Sequence, residues 1–134
     1  MMIPIVMFLA GALFSSPVAL SETIVDEALR NPETLTEYVR EYYADTPILA
    51  DIAWCESRIR HLDKDGNLLR GMVDPDDLGV MQINRRYHEK DAEKLGFDIY
   101  SLNGNLAYAQ YLYDKQGVKP WMASSPCWGK MARQ

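Results

Sequence analysis

The two cysteines of this chain, Cys55 and Cys127, constrain its fold more than any other feature of the sequence. In an exported chain an even pair most simply forms one disulfide, and neither a CxxC motif nor a suitably spaced histidine makes the pair a metal site. Such a disulfide would close a loop of about 70 residues and stabilise the folded state by roughly 4 kcal/mol in the chain-entropy model. We therefore expect the C-terminal segment to be tied to the middle of the chain.

The N-terminal sequence predicts export. Residues 1–21 carry no charged side chain and contain an apolar stretch over residues 5–14, with small residues at Ala19 and Ser21 near a plausible cleavage point. A retained N-terminal anchor is the alternative, although prolines and glycines make this segment a poor membrane span. We predict a signal peptide at 1–21, one domain at 22–134, no stable membrane insertion after cleavage, and a secreted, periplasmic or cell-wall location reached by bacterial-type export.

The composition argues against one class of partner. The chain has a formal net charge of −5 and a pI near 5.0, whereas a general nucleic-acid binder needs a basic surface to displace counterions. Roughly 110 residues remain after the leader, which is enough for one domain with a modest core. We expect a monomer that binds no nucleic acid, and a polysaccharide ligand stays open.

Capping residues, helix-opening prolines and apolar residues at spacings of three and four predict five helices. These helices span about residues 21–30, 32–43, 47–60, 85–95 and 104–116. Their predicted N-caps include Ser21, Asn31, Thr46 and Asn84.

The sequence between residues 62 and 77 interrupts this helical pattern. It is rich in Gly, Asp and Pro, and Asp65-Gly66 is a favourable hairpin turn, so a short β-hairpin or loop excursion is predicted. The tail from Lys119 to Lys130 is predicted to be irregular and held by Cys127. The expected fold class is a compact, mainly α domain with one short β element and one disulfide.

Glu56 stands out on the third predicted helix. It falls on the apolar face of that helix, together with Leu49, Ile52, Ala53 and Ile59. Burial disfavours the charged form of a carboxyl and raises its pKa, and a carboxylic acid that keeps its proton near neutral pH can act as a general acid. The alternative is that Glu56 forms an ion pair at the edge of the core with an arginine: Arg58, Arg60 or Arg70.

A second motif, "DLGVMQIN", occupies residues 77–84. Gly79 permits close approach of the backbone, Gln82 offers an amide donor and acceptor, and Met81 gives a soft apolar surface. Together these features suit a polar ligand with apolar faces, such as a sugar ring. The alternative is a buried turn with Val80, Met81 and Ile83 in the core.

The two motifs in this order, "ES" at 56–57 and "GVMQIN" at 79–84, resemble the catalytic core of the soluble-type lytic transglycosylases. These enzymes belong to the lysozyme-like superfamily, so the resemblance implies an α+β lysozyme-like domain over about residues 46–128. "NLAYAQYL" from Asn105 is a third match, and the cysteine placement is similar to that of the resuscitation-promoting factors. The chain departs from the family in its longer spacing between the motifs and in "PWMASSPCW", which stands where the family has "AYN".

The resemblance implies cleavage of peptidoglycan glycan strands between N-acetylmuramic acid and N-acetylglucosamine, leaving 1,6-anhydro ends. Glu56 is the implied catalytic acid and base, and no cofactor or metal is implied. The implied substrate-binding residues are Ser57, Gly79, Met81, Gln82, Asn84, Tyr108 and Trp121. Trp121, Ser124 and Tyr108 are the candidates to replace the contacts of the absent "AYN".

Two alternative functions remain open from the sequence. A hydrolytic muramidase would need a second acid to activate water, and its candidates are Asp63, Asp65, Asp74, Asp76 and Asp77. A non-catalytic glycan-binding module of the cell wall is the other, and the missing "AYN" favours it.

The two histidines are expected outside the site. His61 follows the third helix and is predicted to lie at the surface or to cap that helix, and His88 is predicted on a solvated helix face. Residues 63–74 resemble a degenerate EF-hand loop, but Leu68 stands where such a loop requires glycine, so no metal is predicted.

Overall fold

The computed structural model describes residues 17–131, and most of these residues are helical. The α-helices are α1 (Pro17–Arg30), α2 (Pro32–Tyr42), α3 (Pro47–Ser57), α4 (Arg85–Leu95), α5 (Leu102–Gln116) and α6 (Ser125–Met131). A 3₁₀ helix, Lys119–Ser124, joins α5 to α6. Residues 1–16, most of the predicted leader, lie outside the described range. No helix within that range is long and apolar enough to cross a membrane.

A short antiparallel sheet lies between α3 and α4 in the chain. β1 (Asp77–Leu78) pairs with β2 (Ile83–Asn84), so both strands lie in the second motif, and the predicted excursion contributes only its last residue, Asp77. The predicted turn at Asp65-Gly66 is confirmed as a smaller feature, because Leu62 and Leu68 form an isolated antiparallel bridge around it. Gly66 has the positive φ of 80° that this turn requires.

Two of the predicted caps are confirmed in full. The Asn31 side chain accepts hydrogen bonds from the first turn of α2, and the Asn84 side chain accepts one from the first turn of α4. Thr46 precedes α3 as predicted, but its hydroxyl donates to the Gln110 side chain at 2.7 Å instead of capping the helix.

The predicted bounds of three helices differ from the observed ones by two residues or more. α1 begins at Pro17, so Ser21 lies inside the helix and does not cap it. α5 begins two residues earlier than predicted, because the Ser101 hydroxyl accepts from the backbone of Gly104 and caps it. α3 ends at Ser57 because the next two residues adopt left-handed backbone, with φ of 58° and 51°.

The prediction of an irregular tail is wrong, since the tail forms the 3₁₀ helix and α6. The predicted disulfide is confirmed: Cys127 in α6 is bonded to Cys55 in α3, with the Cα atoms 5.9 Å apart. The C-terminal helix is therefore fastened to the last turn of α3.

α3 contributes the centre of the hydrophobic core. Core side chains that are at most 2% exposed come from α2, α3, the β1–β2 segment and α5: Val39, Leu49, Ile52, Ala53, Leu78, Val80, Met81, Leu106 and Ala109. Tyr43 is also buried, and its hydroxyl donates to the carbonyl of Leu106 at 2.6 Å. This packing places the C-terminal end of α3 between the β1–β2 segment and the C-terminal helices.

Candidate active site

Glu56 lies on the last turn of α3, half-buried, in a cavity of about 250 Å³. The cavity is lined by Glu56, Asp77, Gln82, Ile83, Asn84, Tyr87, His88, Leu112, Pro120, Trp121 and Ala123. The lining therefore combines the end of α3, the β1–β2 segment, the first turn of α4, one residue of α5 and the 3₁₀ helix. Two carboxyls, two amides and aromatic side chains line this one cavity.

No cation is paired with Glu56 among the described residues. The guanidinium of Arg58 lies 5.1 Å from the centre of the Trp54 ring, and Arg60 donates to the carbonyl of Ser57. Arg70 donates to a backbone carbonyl of the loop before β1. Each of the three arginines that could have neutralised Glu56 is thus engaged elsewhere.

The surroundings of Glu56 favour the protonated form of its carboxyl. Burial is the largest influence and raises the pKa of Glu56 above its ordinary value. A hydrogen bond from Ser124 opposes this effect, and the neighbouring charge of Asp77 adds to it. Glu56 consequently stays protonated to a higher pH than an exposed glutamate, which is what a general acid requires.

Ser124 is the direct partner of the Glu56 carboxyl. Its hydroxyl donates to Glu56 Oε1 at 2.7 Å, from the last position of the 3₁₀ helix. The indole N–H of Trp128 donates to the Ser124 oxygen at 3.1 Å. Trp121 ties the 3₁₀ helix to the β1–β2 segment, since its indole N–H donates to the carbonyl of Met81 at 3.0 Å.

Asp77 is a second carboxyl in the cavity. Burial raises its pKa, and the amide of Asn84 donates to its Oδ1 at 2.9 Å. The guanidinium of Arg86 pairs with the neighbouring Asp74 and Asp76. The site therefore offers two half-buried carboxyls, one from α3 and one from β1.

The segment 79–84 is held in place by buried polar contacts. Gly79 has a positive φ of 69°, and a Cβ there would lie 2.5 Å from the ring of His61. His61 Nδ1 accepts the backbone N–H of Val80 at 3.2 Å, and the Asn105 side chain accepts the backbone N–H of Met81 at 2.9 Å. These contacts turn the segment so that Gln82 and Asn84 border the cavity.

The structure brings together four of the predicted catalytic and substrate-binding residues: Glu56, Gln82, Asn84 and Trp121. The other four, Ser57, Gly79, Met81 and Tyr108, do not line the cavity. The first three support its wall from behind; for example, the Ser57 hydroxyl donates to the carbonyl of Val80 at 2.7 Å. Tyr108 is buried and packs against Phe97 and Tyr111.

Several lining residues were not predicted. His88 is half-buried and lines the cavity, contrary to the prediction of a solvated position, and its Nδ1 lies 3.2 Å from the Tyr108 hydroxyl. Tyr87 lines the cavity beside it. Both follow Asn84 by three and four residues at the start of α4, so helical spacing from the second motif could have found them. His61 is 2% exposed and braces the segment 79–84 instead of capping α3.

The described residues contain no cluster of histidine, cysteine, aspartate or glutamate side chains that could hold a metal ion. In the EF-hand-like stretch, the Asp63 carboxylate accepts the backbone N–H groups of Asp65 and Asn67 at 2.9 and 3.0 Å. These bonds are those of a local turn, which accounts for the Asp-rich sequence there.

Comparisons of this chain with protein-family models, with curated proteins and with solved structures found no match.

Proposed function

We propose that this chain is an exported lytic transglycosylase with a lysozyme-like fold that cleaves peptidoglycan glycan strands. The observation that carries the proposal is the state of Glu56: half-buried in an open cavity, without a cationic partner among the described residues, and with a pKa raised by burial. The disulfide is consistent with export, because such bonds persist in oxidising compartments.

The proposed reaction needs one carboxyl used twice. Glu56 gives its proton to the oxygen between N-acetylmuramic acid and N-acetylglucosamine as the bond from that oxygen to C1 breaks. The Glu56 carboxylate then takes the proton from the muramic acid 6-hydroxyl while that oxygen bonds to C1. Glu56 ends protonated, no water is consumed, and the product carries a 1,6-anhydro ring. The substrate's acetamido group can stabilise the positive charge at C1 between the two steps.

The cavity supplies groups that suit a sugar. Gln82 donates one amide proton to the carbonyl of Gly79, and its second amide proton can be offered to a hydroxyl or acetamido group, whereas both amide protons of Asn84 are donated to Asp74 and Asp77. Tyr87 is 75% exposed and gives an aromatic surface at the cavity edge on which a sugar ring could pack. The position of the sugar relative to Glu56 matters, because a displacement of about 1 Å can lower the rate about a hundredfold.

Asp77 favours a second candidate function, a hydrolysing muramidase. Its carboxyl lines the same cavity as Glu56, and its charge acts on the Glu56 proton. In that reaction a second carboxylate would activate a water molecule, as in inverting glycosidases, or attack C1 directly, as in retaining ones. The products differ, since hydrolysis leaves a reducing end and transglycosylation leaves an anhydro end that is one water lighter.

Release of soluble fragments from purified sacculi tests whether the chain is an enzyme. We expect release by the wild type, none by Glu56→Gln, and normal release by Glu41→Gln, which makes the same change at an exposed glutamate of α2. A non-catalytic glycan-binding module would co-sediment with sacculi and release nothing in any of the three forms. That result would contradict the proposal.

A further inference from the structure

The C-terminal segment contacts the Glu56 carboxyl through Ser124. Ser124 is separated from Glu56 by 68 residues, yet its hydroxyl is 2.7 Å from Glu56 Oε1. This serine stands in the region where the resembling family carries its "AYN" motif.

The position of Ser124 is fixed from three sides. The indole N–H of Trp128 donates to its oxygen at 3.1 Å, and its hydroxyl also lies 3.1 Å from the carbonyl of Trp121. A serine hydroxyl has one proton, so it donates either to Glu56 or to that carbonyl. A negatively charged carboxylate is the stronger acceptor, and the proton therefore turns to Glu56 when Glu56 ionises.

The disulfide fastens this arrangement. Cys55 directly precedes Glu56, and Cys127 follows Ser124 by three residues in the segment formed by the 3₁₀ helix and α6. One covalent bond therefore joins the two short segments that carry the donor and the acceptor. Without it, the remaining restraints on Ser124 are non-covalent.

We propose that Ser124 is a positioning residue that holds Glu56 Oε1, leaves Oε2 to carry the transferred proton, and is kept in place by the Cys55–Cys127 disulfide. This role rests on the proposed function of Glu56. Ser124 itself touches neither the proton that is transferred nor the reacting carbon.

The proposal has a pH signature. The Ser124 hydrogen bond favours the ionised form of Glu56, so its removal raises the pKa of Glu56 further. The other titratable side chains that line the cavity are Asp77, Tyr87 and His88, and Ser124→Ala leaves all three in place. A general acid works while protonated, so the alkaline limb of the rate profile moves to higher pH in Ser124→Ala. A loss of packing alone would lower the rate without moving that limb.

The test is a carboxyl titration that needs no substrate. Protein labelled with ¹³C at the glutamate side-chain carboxyls is titrated by NMR, and the Glu56 signal is assigned by its absence in Glu56→Gln. We expect the pKa of Glu56 to rise in Ser124→Ala and to stay near the wild-type value in Ser124→Thr, which keeps a hydroxyl, and in Ser125→Ala, the adjacent serine. Reduction of the disulfide should move the wild type towards Ser124→Ala and leave Ser124→Ala itself unchanged.

Activity supplies the second readout. On sacculi we expect kcat to fall by about tenfold to a hundredfold in Ser124→Ala, the range for a lost hydrogen bond to a charged group, with partial rescue in Ser124→Thr. An unchanged Glu56 pKa in Ser124→Ala overturns the positioning role alone. A wild type that releases nothing from sacculi overturns the proposed function, whatever the titration gives.

Discussion

The carboxyl of Glu56 is acted on by burial, by the charge of Asp77 and by the hydroxyl of Ser124, and these effects do not all have the same sign. The spacing of apolar residues along α3 predicts the burial of Glu56, because that prediction needs only the local sequence. The two partners cannot be predicted this way. Asp77 and Ser124 come from elements that reach α3 only after the chain has folded.

Replacing Glu56 should stabilise the folded protein or leave it unchanged at neutral pH. Because the folded-state pKa of Glu56 is raised, its contribution to stability is present below the ordinary pKa of about 4.3 and is lost as the pH rises through the folded-state value. Glu56→Gln should therefore be at least as stable as the wild type at pH 7, with the difference shrinking towards pH 4. Denaturant unfolding at both pH values measures this.

The exposed Glu41→Gln serves as the control for that experiment and should show little change at either pH. A Glu56→Gln variant clearly less stable than the wild type at pH 7 would mean that the ionised carboxyl makes a favourable contact. The description of Glu56 as a desolvated acid would then be wrong.

Two effects disfavour a side chain at Gly79, backbone strain and a clash with His61, and comparison with Gly66 separates them. A Cβ at Gly79 would meet both a positive φ of 69° and the His61 ring at 2.5 Å, whereas Gly66 has a φ of 80° with open space around it. Gly66→Ala should cost about 1 kcal/mol of unfolding free energy, from backbone strain. Gly79→Ala should cost about 1–3 kcal/mol more, from the clash. Equal losses in the two variants would show that the contact with His61 is unimportant.

At the scale of elements, two helix caps and the disulfide followed from the sequence, whereas the end of α3 and the helical tail did not. Asn31 and Asn84 cap their helices as predicted, because a cap depends on a few adjacent residues. The end of α3 was missed because Ile59 turns into the core in a left-handed conformation, which tertiary packing stabilises against local preference. The helical tail was missed because it shows no helical pattern in its own sequence and is supported by long-range contacts, such as the hydrogen bond from the indole N–H of Trp121 to the carbonyl of Met81.

The β1–β2 segment depends on a neutral His61. Burial lowers the pKa of His61, while its Nε2 lies 2.8 Å from the carbonyl of Tyr100 and its Nδ1 accepts the N–H of Val80. With the folded-state pKa lowered, stability is full above the ordinary value of about 6.5 and falls as the pH drops through the folded-state value. The free energy of unfolding should therefore decline between pH 7 and pH 5.

His88 should contribute to the same decline in stability at low pH, since burial lowers its pKa as well. Single variants separate the two: His61→Gln and His88→Gln should each have a shallower decline than the wild type. His61→Gln should also be less stable at pH 8, because it loses a buried support of residues 79–84. A decline that is as steep in His61→Gln as in the wild type would remove His61 from this explanation.

The disulfide should be the largest single contribution to stability from one bond. It joins residues 72 positions apart, and closing a loop of that length is worth about 4 kcal/mol in the chain-entropy model. The double variant Cys55→Ser/Cys127→Ser should lose a comparable free energy of unfolding in urea, while Glu56→Gln with the disulfide intact should not. A loss below about 1 kcal/mol would indicate that non-covalent packing alone holds α6 on α3.

At the scale of the whole molecule, distant parts of the chain converge on one cavity. α3 supplies Glu56, β1 supplies Asp77, the first turn of α4 supplies Tyr87 and His88, and the 3₁₀ helix supplies Trp121. The sequence predicts that the first two motifs meet, through their resemblance to one family. It gives no register for the C-terminal segment, which is why Ser124 was only one of three candidates for the contact with the site.

Mass spectrometry of the soluble products from purified sacculi tests the central claim most directly. We expect the wild type to release muropeptides ending in 1,6-anhydro-muramic acid, one water lighter than reducing-end products, and Glu56→Gln to release none. Reducing ends from the wild type would instead favour hydrolysis with Asp77 as the second acid. Wild-type release that persists in Glu56→Gln would contradict the assignment of Glu56 as the catalytic acid.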